Sequence, residues 1–409
     1  MIPEGWLIST LDKFIDIKHG FAFKSDYFRS EGEYILTTPG HFFEVGGFRD
    51  QGNKTKYYVG EVPKGYLLKK GDVLLAMTEQ AAGLLGSAIY VPESGKYLHN
   101  QRLGLVIVRD DERICKEYIY LIYNSPTTRK TIAEQASGTK VKHTSPSRLL
   151  GVKVLIPPLS EQKKIAQVLS TWDKAIATTE QLLANSQLQK KALMQQLLTG
   201  KKRFPGFSEE WTEVHLSDLC FINPSRSEKP ENGVVSFISM DGVSEDAKLI
   251  KTEDRYYSDV SKGFTSFKDD DVLVAKITPC FENGKGAYVI NLTNGIGFGS
   301  TEFHVLRAKE GVNAKYIYYL TVMTEFRVRG EMNMQGSAGQ KRVTTDYLKS
   351  LKLTVPISFT EQNKIATVLT VSDQEIATLK QKLNHLKQEK KALMQQLLTG
   401  KRRVKVDAA

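Results

Sequence analysis

Only three cysteines occur in 409 residues, and Cys115, Cys220 and Cys280 stand apart without a CxxC partner. That excludes a disulfide framework and a cysteine-ligated zinc site, and leaves them as small buried apolar residues. There is no run of about 18 apolar residues and no charged-then-apolar leader after Met1, so nothing calls for a membrane and a cytoplasmic place is expected. The seven histidines lack metal-ligand spacing, so no metal site is expected. No GxxxxGK[ST] phosphate loop is present. The glycines of GIGFGS, Gly295 to Ser300, do not make GxGxxG, and no acidic residue follows at the ribose-binding distance, so the segment is read as a turn. Asn223-Pro224-Ser225 lacks the second proline and the aromatic of an amino-methyltransferase motif. Glu282 and Lys285 in PCFENGK lack the strand-borne acid that a nuclease would set beside them. No catalytic residue is assigned, and the chain is expected not to be an enzyme.

What the chain does contain is a duplication. KKALMQQLLTGK runs from Lys190 to Lys201 and returns from Lys390 to Lys401; Glu161 to Lys201 matches Glu361 to Lys401 at 25 of 41 positions. A repeat of this kind fixes the architecture before any element is assigned.

Each copy predicts a long helix. Ser160 and Thr360 are N-cap types ahead of Glu161 and Glu361, whose charge suits the positive end of a helix dipole. Gly200 and Gly400 are stop signals followed by basic residues. About 40 residues at a rise of ~1.5 Å make a rod of roughly 60 Å. Ile165, Leu169, Trp172, Ile176, Thr179, Leu183, Ser186, Lys190, Leu193 and Leu197 alternate steps of four and three. Ile365, Leu369, Ser372, Ile376, Leu379, Leu383, Leu386, Lys390, Leu393 and Leu397 do so in the same register, the a/d seam of a coiled coil. Two matching seams in one chain predict helices paired on each other, and the seam leaves their orientation open. Off the seam, Gln195, Gln196, Gln395 and Gln396 are also identical, which points to one kind of partner binding twice.

Residues 1–158 and 202–357 are two globular units that repeat one order of elements, with helices over 159–201 and 358–401 and a basic tail over 402–409. Trp6 and Leu11 find Trp211 and Leu216. The strand GDVLLAMT, Gly71 to Thr78, finds DDVLVAKIT, Asp270 to Thr278. The helix begun by EYIYLI finds KYIYYL, and the polar loop SGTKVKHTS, Ser137 to Ser145, finds GSAGQKRVT, Gly336 to Thr344. The fold class is α+β: two similar mixed α/β domains separated by two long helices. A shared framework with different loops suits two readers of different targets. The net charge of +11 favours a polyanionic partner, because neutralised phosphates release counterions.

The two units, each followed by a helix that opens [ST]EQxKIAxVL and closes QQLLTGK, resemble the specificity subunit of bacterial type I restriction–modification systems. GFAFKS, GDVLLAMT, NQRLGLVIV, TPCFENGK and GFGSTEFHVLR are similar to target-recognition segments of that family. The resemblance covers almost the whole chain. It implies a non-catalytic reader of double-stranded DNA, with each domain recognising one half of an interrupted target and the paired helices spacing the halves. It further implies two methyltransferase subunits docked on the helices and restriction subunits that translocate and cleave. S-adenosylmethionine, ATP and Mg are then expected on those partners and no cofactor on this chain. The alternative is a coiled-coil scaffold whose globular ends bind proteins.

Lysine, arginine, serine and threonine suit phosphates, while arginine, asparagine and glutamine carry the donor and acceptor patterns that distinguish bases. In the first unit the candidates for DNA contact are Lys18, Phe21, Lys24, Thr78, Gln80, Gln101, Arg102, Thr139, Lys140, Lys142 and His143. In the second they are Arg226, Lys276, Thr278, Phe281, Glu282, Asn283, Lys285, Ser300, Thr301, Gln340, Lys341 and Arg342. The run Lys201, Lys202, Arg203 is read as solvated charge at a helix end.

Overall fold

The computed structural model describes residues 2–79, 83–138, 141–337 and 339–406. The chain divides into two compact units, Met1–Thr179 with Lys382–Ala409, and Glu180–Gln381. The sequence divides heads from helices, whereas each compact unit takes one head together with part of both helices. The reason lies in how the helices, Leu159–Leu197 and Phe359–Leu398, pack.

In the first unit Glu161 meets Arg403 and Asp173 meets Lys390. In the second, Arg203 meets Glu361 at 2.7 and 2.8 Å, and Lys190 meets Asp373 at 2.9 Å. Within each unit the numbers ascend on one helix as they descend on the other, so the pairing is antiparallel. The residues of the expected seam differ in burial. Ile165, Leu169, Leu197, Ile365, Leu369, Ile376 and Leu397 are buried, and Trp172, Ile176, Leu183, Leu193, Leu379, Leu383, Leu386 and Leu393 are half-buried. Leu182 and Leu188, off the seam, are 48% and 68% exposed.

The helix ends follow the glycines and depart from the expected caps. Gly200 and Gly400 sit at φ +69° and +68°, a left-handed conformation that suits a residue without Cβ. The Lys202 and Arg402 amides then turn back to the Gln196 and Gln396 carbonyls at 3.1 and 3.2 Å. At the other end the helices start at Leu159 and Phe359, two residues before those caps would have them start, so Ser160 and Thr360 are helical. In the second helix Ser358 Oγ accepts the Glu361 amide at 3.4 Å.

Glu161 and Glu361 lie in the first turns of their helices, where the dipole expectation puts them, and are also buried. They are 2% and 1% exposed and fasten helix to head. Trp6 Nε1 donates to Glu161 at 3.2 Å and Trp211 Nε1 to Glu361 at 3.4 Å. The adjacent Gln162 donates to the Pro157 and Arg113 carbonyls at 2.8 and 2.7 Å and accepts the Cys115 amide at 3.0 Å. Gln362 repeats this with the Pro356 carbonyl at 2.8 Å and the Asn313 amide at 2.9 Å. Arg203, expected as solvated charge, is thereby an ion-pair partner of a buried carboxylate, while Lys201 and Lys202 are exposed.

Each head is built on a four-stranded antiparallel sheet of one topology. In the first the spatial order is Ile15–His19, Leu103–Val108, Val73–Ala76, Ala88–Tyr90. In the second it is Cys220–Ile222, Phe303–Ala308, Val272–Ala275, Gly286–Tyr288. The helices Lys116–Asn124 and Ala314–Val322 cover these sheets with buried tyrosines, Tyr118 and Tyr123 in one, Tyr316, Tyr318 and Tyr319 in the other. A second sheet in each head contains a parallel pair, Tyr34–Thr37 with Tyr97–His99 and Val234–Ile238 with Ile296–Gly299.

That last strand corrects the reading of GIGFGS as a turn. Its glycines serve packing: a Cβ on Gly297 would lie 2.0 Å from the ring of Phe267, and one on Gly299 would lie 2.3 Å from the Ile238 carbonyl oxygen. Glycine is what lets the neighbouring strand and the fully buried Phe267 approach. Cys115 and Cys220 are buried as expected, and Cys280 is half-buried.

Candidate nucleic-acid interface

At the end of each main sheet one small backbone arrangement occurs twice. In the first head the Leu103 amide closes a turn onto the Asn100 carbonyl at 3.0 Å, and Asn100 Oδ1 accepts the Arg102 amide at 3.0 Å. In the second the Phe303 amide closes onto the Ser300 carbonyl at 3.2 Å, and Ser300 Oγ accepts the Glu302 amide at 3.2 Å. Short polar side chains that bond their own backbone two residues on are suited to such turns. They leave Gln101 and Thr301 exposed at the tips.

Beside each turn runs a hairpin that the polar loops supply. Met77 takes the Arg102 carbonyl through its amide and gives its own carbonyl to the Thr144 amide, both at 3.0 Å. Lys276 does the same between Glu302 and Val343, both at 2.9 Å. One residue earlier, His143 is paired on one side with Thr78 and on the other with Ser137. Arg342 is paired in the same way with Ile277 and Gln335. Position for position, then, Arg102 corresponds to Glu302 and His143 to Arg342 on one backbone scaffold. Gly138 and Gly336, at φ +103° and +126°, turn the two hairpins.

The scaffold gathers many of the sequence candidates. In the first head Thr78, Gln101, Arg102, Lys142 and His143 converge, and Phe21 joins them. Its amide donates to the His99 carbonyl at 2.8 Å and its carbonyl accepts the Gln101 amide at 2.9 Å. Phe21 is 37% exposed and abuts Phe23 and Tyr66 at 5.1 and 5.3 Å between ring centroids. Lys18 lies over that Tyr66 ring at 4.2 Å and donates to the Gly65 carbonyl at 2.8 Å. Lys24 is exposed in the following segment. Gln80, Thr139 and Lys140 lie outside the described residues. In the second head Lys276, Thr278, Ser300, Thr301, Lys341 and Arg342 converge, and Gln340 is exposed just before them.

Others are engaged elsewhere. Phe281 is fully buried against Phe326 and the edge of Gly330, so it fills the core and has no surface to offer DNA. Glu282 accepts the Thr278 hydroxyl at 2.7 Å, Asn283 donates to Glu245 at 2.9 Å, and Lys285 donates to the Met240 carbonyl at 3.1 Å. Arg226 donates to the Phe264 carbonyl at 3.2 Å.

Glu302 was absent from the sequence candidates. Its oxygens take Nε and Nη2 of Arg342 at 3.0 and 2.8 Å. The guanidinium beside it, with help from Lys276, holds the Glu302 carboxyl below its ordinary range against the opposing effect of burial. The available signal was a charge reversal: an acid stands at the start of the strand where the first copy has Arg102. In the first head burial pushes His99 down to about 4, so it is neutral, with Nε2 directed at the Leu103 carbonyl at 3.0 Å.

Two heads with one polar scaffold and different side chains, carried on antiparallel helices, define a duplicated recognition protein. The chain belongs to the family described as type I restriction modification DNA specificity domain, which matches residues 3–185 and 208–388. It is 25% identical over 358 residues to the putative MjaX specificity subunit of Methanocaldococcus jannaschii, covering 83% of this chain and 80% of that one. It is 36% identical over 176 residues to the EcoAI specificity subunit of Escherichia coli. The matches span only 30% and 35% of the lengths of the EcoAI and EcoEI subunits. The fold is similar to that of a type I restriction–modification S subunit from M. genitalium, with TM-score 0.61, 14% identity, and 97% and 96% of the two chains covered. No helix among the described residues is long and apolar enough to cross a membrane, and none of their His, Cys, Asp and Glu side chains form a metal-holding group of three or more.

Proposed function

We propose that this chain is the DNA-reading subunit of a type I restriction–modification complex and reads a two-part double-stranded target, one half with each head. The observation that carries this is the duplicated scaffold with Arg102 and His143 in one head and Glu302 and Arg342 in the other. A scaffold kept while its outward side chains change is what two readers of unlike base sequences require, since base edges are told apart by donor and acceptor pattern. Lys276, Lys341 and Lys142 beside these positions supply phosphate contacts that position without specifying.

The helices space the heads and carry the methyltransferase subunits. Supporting this, Gln195, Gln196, Gln395 and Gln396 are all exposed, and their identity is not demanded by the buried seam. S-adenosylmethionine, ATP and Mg belong to the partner subunits in this proposal, and the chain directs chemistry without performing it.

The test is binding of the full chain, co-expressed with the modification subunit of its system, to randomised duplex DNA across a salt series. Enrichment of an interrupted sequence, with affinity falling steeply as salt rises, is the expected result. Replacing residues 1–158 by another such domain should alter one half-site only. Absence of any enriched sequence would instead favour a scaffold whose heads bind protein.

A further inference from the structure

The side chain of Arg342 is gripped by a carboxylate through Nε and Nη2, as those of Arg203 and Arg403 are by Glu361 and Glu161. Its backbone is hydrogen-bonded to Gln335 in both directions, at 2.8 and 2.9 Å, and bridged on the other side to Ile277. Its guanidinium is gripped by Glu302 through Nε and Nη2, and Nη1 donates to the Gln340 carbonyl at 3.1 Å. Arg342 remains 41% exposed and Glu302 26%, so the pair stands at the surface, where such bridges contribute little to stability.

The donor count shows what the grip leaves. Arginine has five N–H donors in a planar fork. Glu302 takes two and Gln340 one, leaving one on each Nη nitrogen with no acceptor among the described residues. With the Nε side closed by the carboxylate, the two Nη nitrogens, each with one donor left, form the open end of the fork. That pattern complements the two major-groove acceptors of guanine, N7 and O6, and no other base edge offers both acceptors together. A phosphate would also accept, but it does not need a fork whose orientation is fixed beforehand.

We infer that Arg342 is the guanine-reading residue of the second head and that Glu302 is the residue that positions it. This rests on the DNA-reading function proposed above. The corresponding scaffold position in the first head carries His143, and Arg102 stands where Glu302 would be. The first head therefore lacks the clamped fork at this place and reads a different base there.

The experiment compares wild type with Arg342→Lys, Glu302→Ala and Glu302→Asp, each as full chain co-expressed with the modification subunit, by selection from randomised duplexes. Arg342→Lys keeps the charge and removes the fork. It should relax a guanine preference at one position of the second half-site by roughly 10- to 100-fold. Glu302→Ala should relax the same position, and Glu302→Asp, which keeps the carboxylate, should retain more of the preference. The first half-site should be unchanged in all three and reports that the chain is intact, while circular dichroism melts verify the second unit. If the wild type selects a two-part site and Arg342→Lys only lowers affinity evenly across sequences, Arg342 is a phosphate contact and the inference is overturned. If the wild type selects no sequence, the DNA-reading proposal itself fails.

Discussion

Lys190 Nζ lies 2.9 Å from Asp373 Oδ1, and the same two positions one repeat over, Lys390 and Asp173, are also joined. The bonds are related by sequence and differ in surroundings. Lys190 and Asp373 have side chains 15% and 18% exposed, and Asp373 also accepts the Tyr319 hydroxyl at 2.9 Å. Lys390 and Asp173 are 22% and 50% exposed. Desolvated charges are costly to leave unpaired, whereas exposed ones are screened.

Asp373→Asn should accordingly destabilise its unit by about 1–3 kcal/mol, and Asp173→Asn by no more than ~1 kcal/mol. Urea unfolding followed by hydrogen exchange in each helix separates the two. Equal effects would mean that burial does not distinguish the pairs.

Arg203 closes on Glu361, whose side chain is 2% exposed. Arg203→Met leaves that carboxylate buried with the Trp211 indole as its one side-chain donor among the described residues, and should cost about 3–5 kcal/mol. Glu361→Gln in the same background should recover part of the loss, because it removes the stranded charge. A double-mutant cycle measured by denaturant midpoint checks this, and failure of the second substitution to recover stability would contradict it.

The neutral, buried His99 makes the first head sensitive to acid. Its folded pKa is about 4, against an ordinary value of 6.5. The unfolded chain therefore binds the proton first, and stability falls as pH drops from about 6.5 towards 4. The slope approaches ~1.4 kcal/mol per pH unit, or about 2 kcal/mol lost by pH 5. His99→Gln should flatten that dependence in the interval. An unchanged slope in the variant would assign the acid sensitivity to other groups.

Gly20 allows the Phe21 segment to lie against the Asn100 turn. A Cβ there would meet the Asn100 carbonyl oxygen at 1.9 Å and its carbon at 2.2 Å, both backbone atoms that cannot swing aside. Gly20→Ala should cost roughly 1–3 kcal/mol in the first unit. It should also weaken selection at the first half-site while leaving the second intact. Loss of both halves together would show that the heads do not read independently.

Much of this architecture was legible in the letters for a physical reason. A seam of steps of four and three needs only local helix geometry to predict which residues are buried, and Ile165 to Leu197 and Ile365 to Leu397 obey it. Gly200 and Gly400 ended their helices because a left-handed residue is a local requirement. The echo of one head in the other predicts a shared order of elements. Where the reading failed, the deciding partner was distant. The burial of Glu161 and Glu361 is not legible locally, because their partners Arg403 and Arg203 lie 242 and 158 positions away. GIGFGS became a strand because Phe267 needed the space of its glycines, and Phe281 went into the core because Phe326 and Gly330 close over it.

The order of letters by itself determined that there are two like heads and two like helices with apolar stripes, since periodicity and repetition are properties of the chain alone. Only the tertiary structure decided that the stripes pair antiparallel within each unit. It also decided that Arg342 is clamped by Glu302 where the other head sets His143 and Arg102. Those outcomes depend on which distant groups come within hydrogen-bonding reach, and short-range forces between remote residues act only after folding has brought them together.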